Sequence, residues 1–390
     1  MKVTIGRLLP LVIAGAFAVD VGARFLPLDA LCFQAWECMT RYQEPGSIFQ
    51  ANRRFVSDRT HGNLSNMGNL PERREYRAQV FTTDTDGFRN APVSEHVVPD
   101  GLVVGDSFVA GYGISDEETF PAQLSAATGR RFYNAGGPYA YLHTVRRLKA
   151  RLGFARGPVI IGWTESEPVA QLTQAEALAG EGDARTRLMT SLVGPKAQWL
   201  RSRARGWWYT SPVKIVAEKA FLSLANDHLL PNVYRSRVVE RRLHTGEPIL
   251  FYPLDVEGFH AQRDTAEART FLVELTSRVS LDGMTPIVLL APSKYTVYYP
   301  LLEGSQPEPG DTLHPLAKLE QELRGLGIRA LDLTARMQEQ ARHDLEQGSY
   351  LYWLDDTHWN GKGVAVAAEL ARQTWFAQGA ETARAAHTRH

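Results

Sequence analysis

The sequence predicts an α/β fold in which helices cover both faces of a parallel sheet. Short apolar runs alternate with stretches of helical periodicity, an order typical of parallel strands joined by helices. The chain has 390 residues, of which 44% are hydrophobic, so it can bury a large core. This length fits one large α/β domain with an insertion, or two smaller domains.

The predicted strands are short apolar runs, and the first of them ends in Gly105. These runs cover 101–105, 131–134, 158–162, 286–291 and 328–332. Helical patterns between and after them cover about 119–127, 141–152, 264–280, 315–325 and 363–376. The alternation stops between about 165 and 262, where the chain is charged and aromatic and contains Trp207 and Trp208. We predict an insertion there, helical and aromatic in character.

The first 24 residues have the pattern of a secretory signal or signal anchor. Lys2 and Arg7 precede an apolar run from Leu8 to Val19. The run is short for a membrane-spanning helix, which needs about 20 apolar residues. We favour an uncleaved anchor that leaves the rest of the chain outside the cytoplasm, because the positive residues precede the run. A cleaved signal peptide and a buried amino-terminal helix are the alternatives.

The remaining chain divides into an extension, a main domain and a tail. Residues 25–100 are predicted to pack on the core as an extension, 101–376 to form the main domain, and 377–390 to form the tail. Cys32 and Cys38, the only cysteines, could form one bridge outside the cytoplasm or remain two buried thiols.

Charge and histidine spacing exclude some classes of function. Basic and acidic residues both total 43, so the zero formal net charge gives no reason to expect nucleic acid as a partner. Outside the tail, no close histidine pair is backed by acidic residues, so we expect no metal and no cofactor.

The first motif with chemical meaning is Val103-Val-Gly-Asp-Ser107. A nucleophilic serine must be held at the carboxyl end of a strand, and the N–H groups of a tight strand-to-helix turn can bind an oxyanion. Gly105 permits the sharp bend that this requires. Gly-Asp-Ser also occurs in ordinary turns, so this motif needs support from a second one.

The second motif is Leu351-Tyr-Trp-Leu-Asp-Asp-Thr-His-Trp-Asn360. A serine hydroxyl is a weak nucleophile at neutral pH, so it needs a general base, and the base needs a partner that fixes its tautomer. His358, with an aspartate two or three residues before it, can supply both. Aspartate and asparagine before a helix are also common as amino-terminal caps, but capping does not explain a histidine beside Trp359.

Together the two motifs resemble the first and last blocks of the SGNH/GDSL hydrolase superfamily. The Asp-Thr-His-Trp form of the last block, with Pro292-Ser-Lys-Tyr-Thr-Val-Tyr298 and Asp84-Thr-Asp-Gly-Phe-Arg89, resembles the branch that contains alginate O-acetylation proteins. The resemblance extends over most of residues 80–376. It implies a three-layer αβα, flavodoxin-like parallel sheet.

The resemblance also implies a catalytic triad. Ser107 would be the nucleophile and His358 the base. In the common pattern of the superfamily the carboxylate stands three residues before the histidine, at Asp355, whereas in the alginate-acetylation pattern it stands two before, at Asp356. We favour Asp356 and keep Asp355 as the alternative.

Oxyanion and substrate contacts follow from the same resemblance. The N–H of Ser107 would be one oxyanion donor. The positions where the family usually has a glycine and an asparagine carry Tyr139, whose backbone N–H can donate, and Thr164, whose hydroxyl can donate. Residues of the shared motifs are predicted to contact substrate, namely Lys294, Tyr298 and Trp359.

The predicted chemistry is acyl transfer through an acyl-serine intermediate. If water accepts the acyl group the protein is an esterase, and if a sugar hydroxyl accepts it the protein is an O-acyltransferase; the triad is the same in both. The amino-terminal segment and the resemblance favour O-acetylation of an exported polysaccharide in the periplasm, by a protein anchored to the inner membrane. They also imply a membrane-bound acyl-donor protein as partner. A carbohydrate esterase and a non-catalytic polysaccharide-binding or assembly protein are the alternatives.

Overall fold

The computed structural model describes residues 2–25, 32–40, 49–91, 98–177, 179, 207–208, 211–224, 234–261, 264–305 and 314–377. Much of the predicted insertion and residues 378–390 of the predicted tail lie outside these ranges. In chain order the strands are β1 (Arg54–Thr60), β2 (Arg77–Thr82), β3 (Gly101–Gly105), β4 (Phe132–Gly136), β5 (Pro158–Thr164), β6 (Val239–Arg242), β7 (Pro248–Phe251), β8 (Thr285–Ala291) and β9 (Arg329–Asp332).

The helices used below follow the same order. They are α1 (Lys2–Ala23), α2 (Ala35–Met39), α3 (Asn63–Met67), α4 (Ser107–Ala110), α5 (Phe120–Thr128), α6 (Tyr141–Leu152), α7 (Pro212–Leu224), α8 (Pro253–His260), α9 (Ala266–Leu281), α10 (Lys294–Tyr298), α11 (Pro315–Gly325), α12 (Thr334–Leu345) and α13 (Gly361–Phe376).

A five-stranded parallel sheet in the order β4-β3-β5-β8-β9 forms the centre of the main domain. Because successive side chains of a strand point to opposite faces, Val103, Ile160 and Ile287 pack against α5, α12 and α13. Leu102 and Val104 pack on the other face with α6, α9 and α11. Helices therefore cover both faces of the sheet, which confirms the predicted three-layer α/β fold. Every predicted strand and helix of this domain lies within two residues of its observed bounds.

The amino-terminal extension contributes a separate antiparallel pair, β1 and β2. α2 and the disulfide Cys32–Cys38 lie before this pair, and α3 lies between its strands. α1 leaves apolar side chains exposed, among them Val12 and Phe17. Over the ranges described here, no helix is both long enough and apolar enough to cross a membrane.

The described part of the predicted insertion includes α7, the antiparallel pair β6–β7, and α8. The pair belongs to the core, because Ile249 and Phe251 on β7 are fully buried with residues of the main domain. The N–H of Leu250 donates to the carbonyl of Leu354 at 2.9 Å. β7 therefore supports the loop that carries the second motif.

Candidate active site

Ser107 lies where the first strand of the sheet turns into a short helix. β3 is buried along its length and ends at Gly105, and α4 begins at Ser107. A Cβ on Gly105 would overlap the side chain of Val109 and lie 2.8 Å from the carbonyl oxygen of Gly162, so only glycine fits this turn. The carboxylate of Asp106 caps α4 by accepting the Phe108 N–H at 2.9 Å. The turn holds the serine at the carboxyl end of the sheet.

A continuous hydrogen-bonded chain joins Ser107, His358 and Asp356. Nε2 of His358 lies 2.8 Å from Oγ of Ser107. Nδ1 of the same ring lies 2.7 Å from Oδ1 of Asp356, which also accepts the His358 backbone N–H at 3.0 Å. Asp355 makes its contacts elsewhere, accepting from the Gly62 N–H at 2.6 Å and the Ser65 hydroxyl at 3.0 Å. Of the two candidate carboxylates, the structure brings Asp356 to the imidazole.

Asp356 carries a negative charge although it is completely buried. Burial alone raises the pKa of Asp356, but its contacts with His358 and the positive charge of Arg77 outweigh burial and hold the pKa well below its usual range. When His358 donates Nδ1–H to the ionised Asp356, the neutral ring has no proton on Nε2, the atom that faces the Ser107 hydroxyl. This is the tautomer that a general base requires.

Aromatic rings fix the plane of the imidazole. The ring centroids of Phe108 and Tyr112 lie 5.0 and 5.5 Å from that of His358. The Trp359 indole N–H donates to the Phe108 carbonyl at 3.3 Å, which ties the histidine loop to α4. The loop that carries His358 and the turn that carries Ser107 are therefore attached to the same short helix.

The three predicted oxyanion donors have different outcomes. Ser107 is the first residue of α4, so its N–H has no acceptor within the helix. Tyr139 lies in the loop after β4, and Gly137 of this loop donates its N–H to the Gly105 carbonyl at 2.8 Å, beside the serine turn. The hydroxyl of Thr164 contacts two carboxyl groups, those of Asp106 at 3.2 Å and Glu167 at 2.8 Å. A hydroxyl has one proton, so these contacts do not support Thr164 as an oxyanion donor, and that role stays a prediction.

Glu167, which was not among the predicted site residues, forms a buried acid pair with Asp106. Oε1 of Glu167 accepts from the Tyr141 hydroxyl at 2.8 Å. Burial, and then the charge of Asp106, raise the pKa of Glu167 well above its usual value. Burial raises the pKa of Asp106 as well, so a second negative charge on Glu167 is disfavoured. Its position just after β5 was the only available signal, since polar residues that follow parallel strands line the active edge of such sheets.

The three residues predicted to contact substrate are all buried, which does not support that role, and it stays a prediction. Lys294 is fully buried, and its Nζ donates to the carbonyls of Leu250, Leu354 and Asp356 at 2.6, 2.9 and 3.0 Å. The hydroxyl of Tyr298, also fully buried, accepts the Leu351 N–H at 2.8 Å.

Trp359 is 2% exposed, and its ring packs on Phe108 with 5.3 Å between the centroids. The loop of the second motif is therefore surrounded by the side chains of Lys294, Tyr298 and Trp359. They hold that loop in place.

Comparison with known proteins gives one match. The family model described as an SGNH hydrolase-like domain, acetyltransferase AlgX, matches residues 250–388. The matched segment contains Asp356 and His358 and begins after Ser107. No curated protein matches the chain. The resemblance to SGNH proteins of alginate acetylation, predicted from the two motifs, is therefore confirmed for residues 250–388 as a match to the SGNH hydrolase-like AlgX family.

Proposed function

We propose that this protein is a serine O-acyltransferase that places an acetyl group on a hydroxyl of an exported polysaccharide. The observation that carries the proposal is the unbroken contact from Ser107 through His358 to Asp356. The description of the matching family as an acetyltransferase supports transfer rather than hydrolysis.

The geometry supports a reaction in two halves. As Oγ of Ser107 attacks the acyl carbonyl carbon, its proton passes to Nε2 of His358, and the carbonyl electrons move to the oxygen, where the Ser107 N–H can stabilise the charge. When the intermediate collapses, the leaving group departs with the proton from His358. A positioned general base contributes about 10²–10⁴ in rate, and one oxyanion donor contributes about 10²–10³.

The second half repeats these steps with a new nucleophile. A sugar hydroxyl attacks the acyl-serine carbonyl while His358 accepts its proton. Collapse releases the acetylated sugar, and His358 returns the proton to Oγ of Ser107. Asp356 keeps its charge throughout and stabilises the imidazolium that forms in each half.

Exposed aromatic residues support a glycan acceptor. The side chain of Tyr139 is 41% exposed, in the loop beside the serine turn, and Tyr252 at the start of α8 is 36% exposed. Aromatic side chains commonly line the sites that bind organic ligands. We propose that these two rings contact the acceptor sugar.

We also propose a periplasmic location, with α1 attached to the inner membrane beside a membrane-bound acyl-donor protein. Val12, Ile13 and Val19 of α1 are 60–64% exposed. Phe17 stacks on Trp207 with 5.6 Å between ring centroids. Apolar side chains exposed on a helix, with a tryptophan at their edge, are suited to the membrane interface.

The proposal is tested by hydrolysis of 4-nitrophenyl acetate by the full chain, comparing wild type with Ser107→Ala and His358→Ala. Loss of a triad residue should lower kcat by at least about 10³-fold. Ser57→Ala, on β1 of the extension, is the matched control. Acetylated oligosaccharides are then sought by mass spectrometry after adding acceptors.

The outcomes separate the candidate functions. Acetylated glycan that depends on Ser107 supports the transferase. Deacetylation of a polymer without any transfer would identify an esterase instead. Equal turnover by wild type and Ser107→Ala, with glycan binding intact, would contradict catalysis and leave a binding protein.

A further inference from the structure

A disulfide closes a short loop of the amino-terminal extension beside the triad. Cys32 and Cys38 are bonded, with 6.1 Å between their Cα atoms, and each is 4% exposed. The first turn of α2 lies inside the loop. The bond therefore fixes both ends of a segment that contains Gln34 and Trp36.

Gln34 is fully buried, and its amide group has all of its hydrogen-bonding atoms in use. Nε2 donates to Oδ2 of Asp356 and, at 3.0 Å, to the carbonyl of His61. Oε1 accepts the indole N–H of Trp36 at 2.9 Å. An amide nitrogen has two N–H bonds, so the side chain has one orientation that satisfies every contact.

The same loop reaches the imidazole by a second route. The ring of Trp36 stacks on Tyr112 with 5.8 Å between centroids and 9° between planes. Tyr112 also packs against His358, whose ring centroid lies 5.5 Å away at 55°. The loop thus supports both the acid and the base of the triad.

The two oxygens of Asp356 have separate tasks. Oδ1 accepts from His358, while Oδ2 accepts from Gln34, from the Asn63 N–H at 3.0 Å and from Arg77 at 3.1 Å. The donors on Oδ2 prevent the carboxylate from turning, so Oδ1 remains directed at Nδ1. Gln34 is the member of this set that the disulfide loop carries.

We propose that the Cys32–Cys38 loop positions the triad, with Gln34 orienting Asp356 and Trp36 supporting His358 through Tyr112. This rests on the proposed function, in which these residues serve acyl transfer. Closing the loop by a covalent bond limits the conformations that its residues can adopt. Gln34 and Trp36 are positioning residues, since they act through the triad and do not contact the reacting atoms.

The first test replaces Gln34 by methionine in the full chain. Gln34→Met keeps the side-chain volume but loses both donors, so kcat for 4-nitrophenyl acetate should fall by about 10–100-fold with little change in KM. A carboxylate that loses a donor attracts the imidazolium more strongly, so the acidic limb of the kcat/KM profile should shift to higher pH. The control is Gln338→Met, whose amide donates to the Thr296 carbonyl.

The second test removes the bond through the double variant Cys32→Ala/Cys38→Ala. It leaves the Gln34 side chain unchanged, yet we again expect kcat to fall and the acidic limb of the kcat/KM profile to shift to higher pH. In both variants the far-downfield proton resonance of His358 Nδ1–H, followed by NMR, should move or broaden. This resonance reports the contact with Asp356 whether or not the protein turns over a substrate.

These readouts keep the two proposals apart. If wild type has no Ser107-dependent turnover, the proposed function fails. The resonance of His358 Nδ1–H then remains as the test of whether the Cys32–Cys38 loop positions Asp356 and His358. If a variant that keeps the wild-type melting temperature also keeps the wild-type kcat, pH profile and resonance, the positioning proposal is overturned. Gln34→Met and Cys32→Ala/Cys38→Ala alter different atoms. Either variant, if it folds, is therefore enough to test the positioning proposal.

Discussion

Arg77 forms a buried ion pair with Asp355, in which Nη1 lies 2.8 Å from Oδ1. Nη2 of the same guanidinium lies 3.1 Å from Oδ2 of Asp356, and the Arg77 side chain is only 6% exposed. The ring of Trp353 covers the guanidinium, with its centroid 4.2 Å away. One residue of β2 therefore joins the two adjacent carboxylates that the second motif offers as partners of His358.

Replacing Arg77 by methionine should destabilise the fold. The variant leaves two fully buried carboxylates without their shared cation, which costs about 3–5 kcal/mol in free energy of unfolding. Urea denaturation at neutral pH measures the loss. Arg73→Met is the control, because its ion pair with Glu240 is exposed and should contribute about 1 kcal/mol or less. Equal losses in the two variants would contradict the role given to Arg77.

Amide substitutions of Asp356 and Asp355 should affect different properties. Asp356→Asn removes the charge that fixes the His358 tautomer, so kcat should fall by about 10⁴-fold while KM changes little. Asp355→Asn should mainly lower the free energy of unfolding, because Asp355 accepts from backbone and side-chain donors of the extension. Steady-state kinetics and urea denaturation of both variants measure this. The assignment is wrong if Asp355→Asn has the larger loss of kcat.

The sheet and the position of Ser107 at its carboxyl edge could be predicted because their signals are local. β3 is a run of apolar residues that ends in glycine, and the close approach of Gly162 and Val109 explains why glycine is required there. The histidine motif is likewise contained in ten consecutive residues. For β3 and for the histidine motif, residues that are adjacent in the sequence were therefore enough to predict the local structure.

The supports of the triad could not be predicted, because they depend on contacts between distant parts of the chain. Gln34 and Arg77 contact Asp356 across separations of 322 and 279 residues. Each is one polar residue among many in the extension, and no spacing distinguishes it. The sequence shows such a residue but not the buried carboxylate that it will face.

The burial of other residues in the motifs could not be predicted either. Lys294, Tyr298 and Trp359 belong to the motifs that carry the resemblance, but a motif does not show whether a side chain faces a ligand or the core. The sequence pattern did not predict the helix α12, because the few apolar residues that it buries stand apart in an otherwise polar segment. Its buried apolar residues are Met337, Ala341 and Leu345.

The buried acid pair of Asp106 and Glu167 predicts that the stability of the fold depends on pH. Burial, and then the charge of Asp106, raise the pKa of Glu167 well above 4.5, its ordinary value. Above pH 4.5 the folded chain therefore binds a proton that the unfolded chain has lost, and stability falls as pH rises through the folded pKa. Glu167→Gln keeps the shape of the protonated carboxyl and removes this dependence.

Urea denaturation between pH 4 and 9, compared with wild type, measures the effect of Glu167→Gln. Wild type should lose stability relative to this variant as the pH increases. Glu274→Gln is the control, because Glu274 is exposed beside Arg278. Parallel curves for wild type and Glu167→Gln would contradict a raised pKa of Glu167.

Lys294 predicts a pH dependence of stability with the opposite sign, in which stability rises with pH. Burial lowers the pKa of Lys294 from 10.5 to about 7, against the attraction of Asp355 and Glu75. Between these two values the unfolded chain binds more protons than the folded chain, so stability rises with pH, by at most about 1.4 kcal/mol per unit. Below pH 7 the lysine is protonated in both states and contributes no slope. Lys294→Met removes the titrating group and with it the slope.

The measurement is the difference in free energy of unfolding between wild type and Lys294→Met from pH 6 to 10. The difference should be constant up to about the folded pKa of 7 and then increase in favour of wild type. Lys318→Met, at an exposed position on α11, is the control. A difference that stays constant over the whole range would mean that Lys294 remains charged, held by the carbonyls of Leu250, Leu354 and Asp356. In that case the lysine would fix the triad loop as a permanent cation.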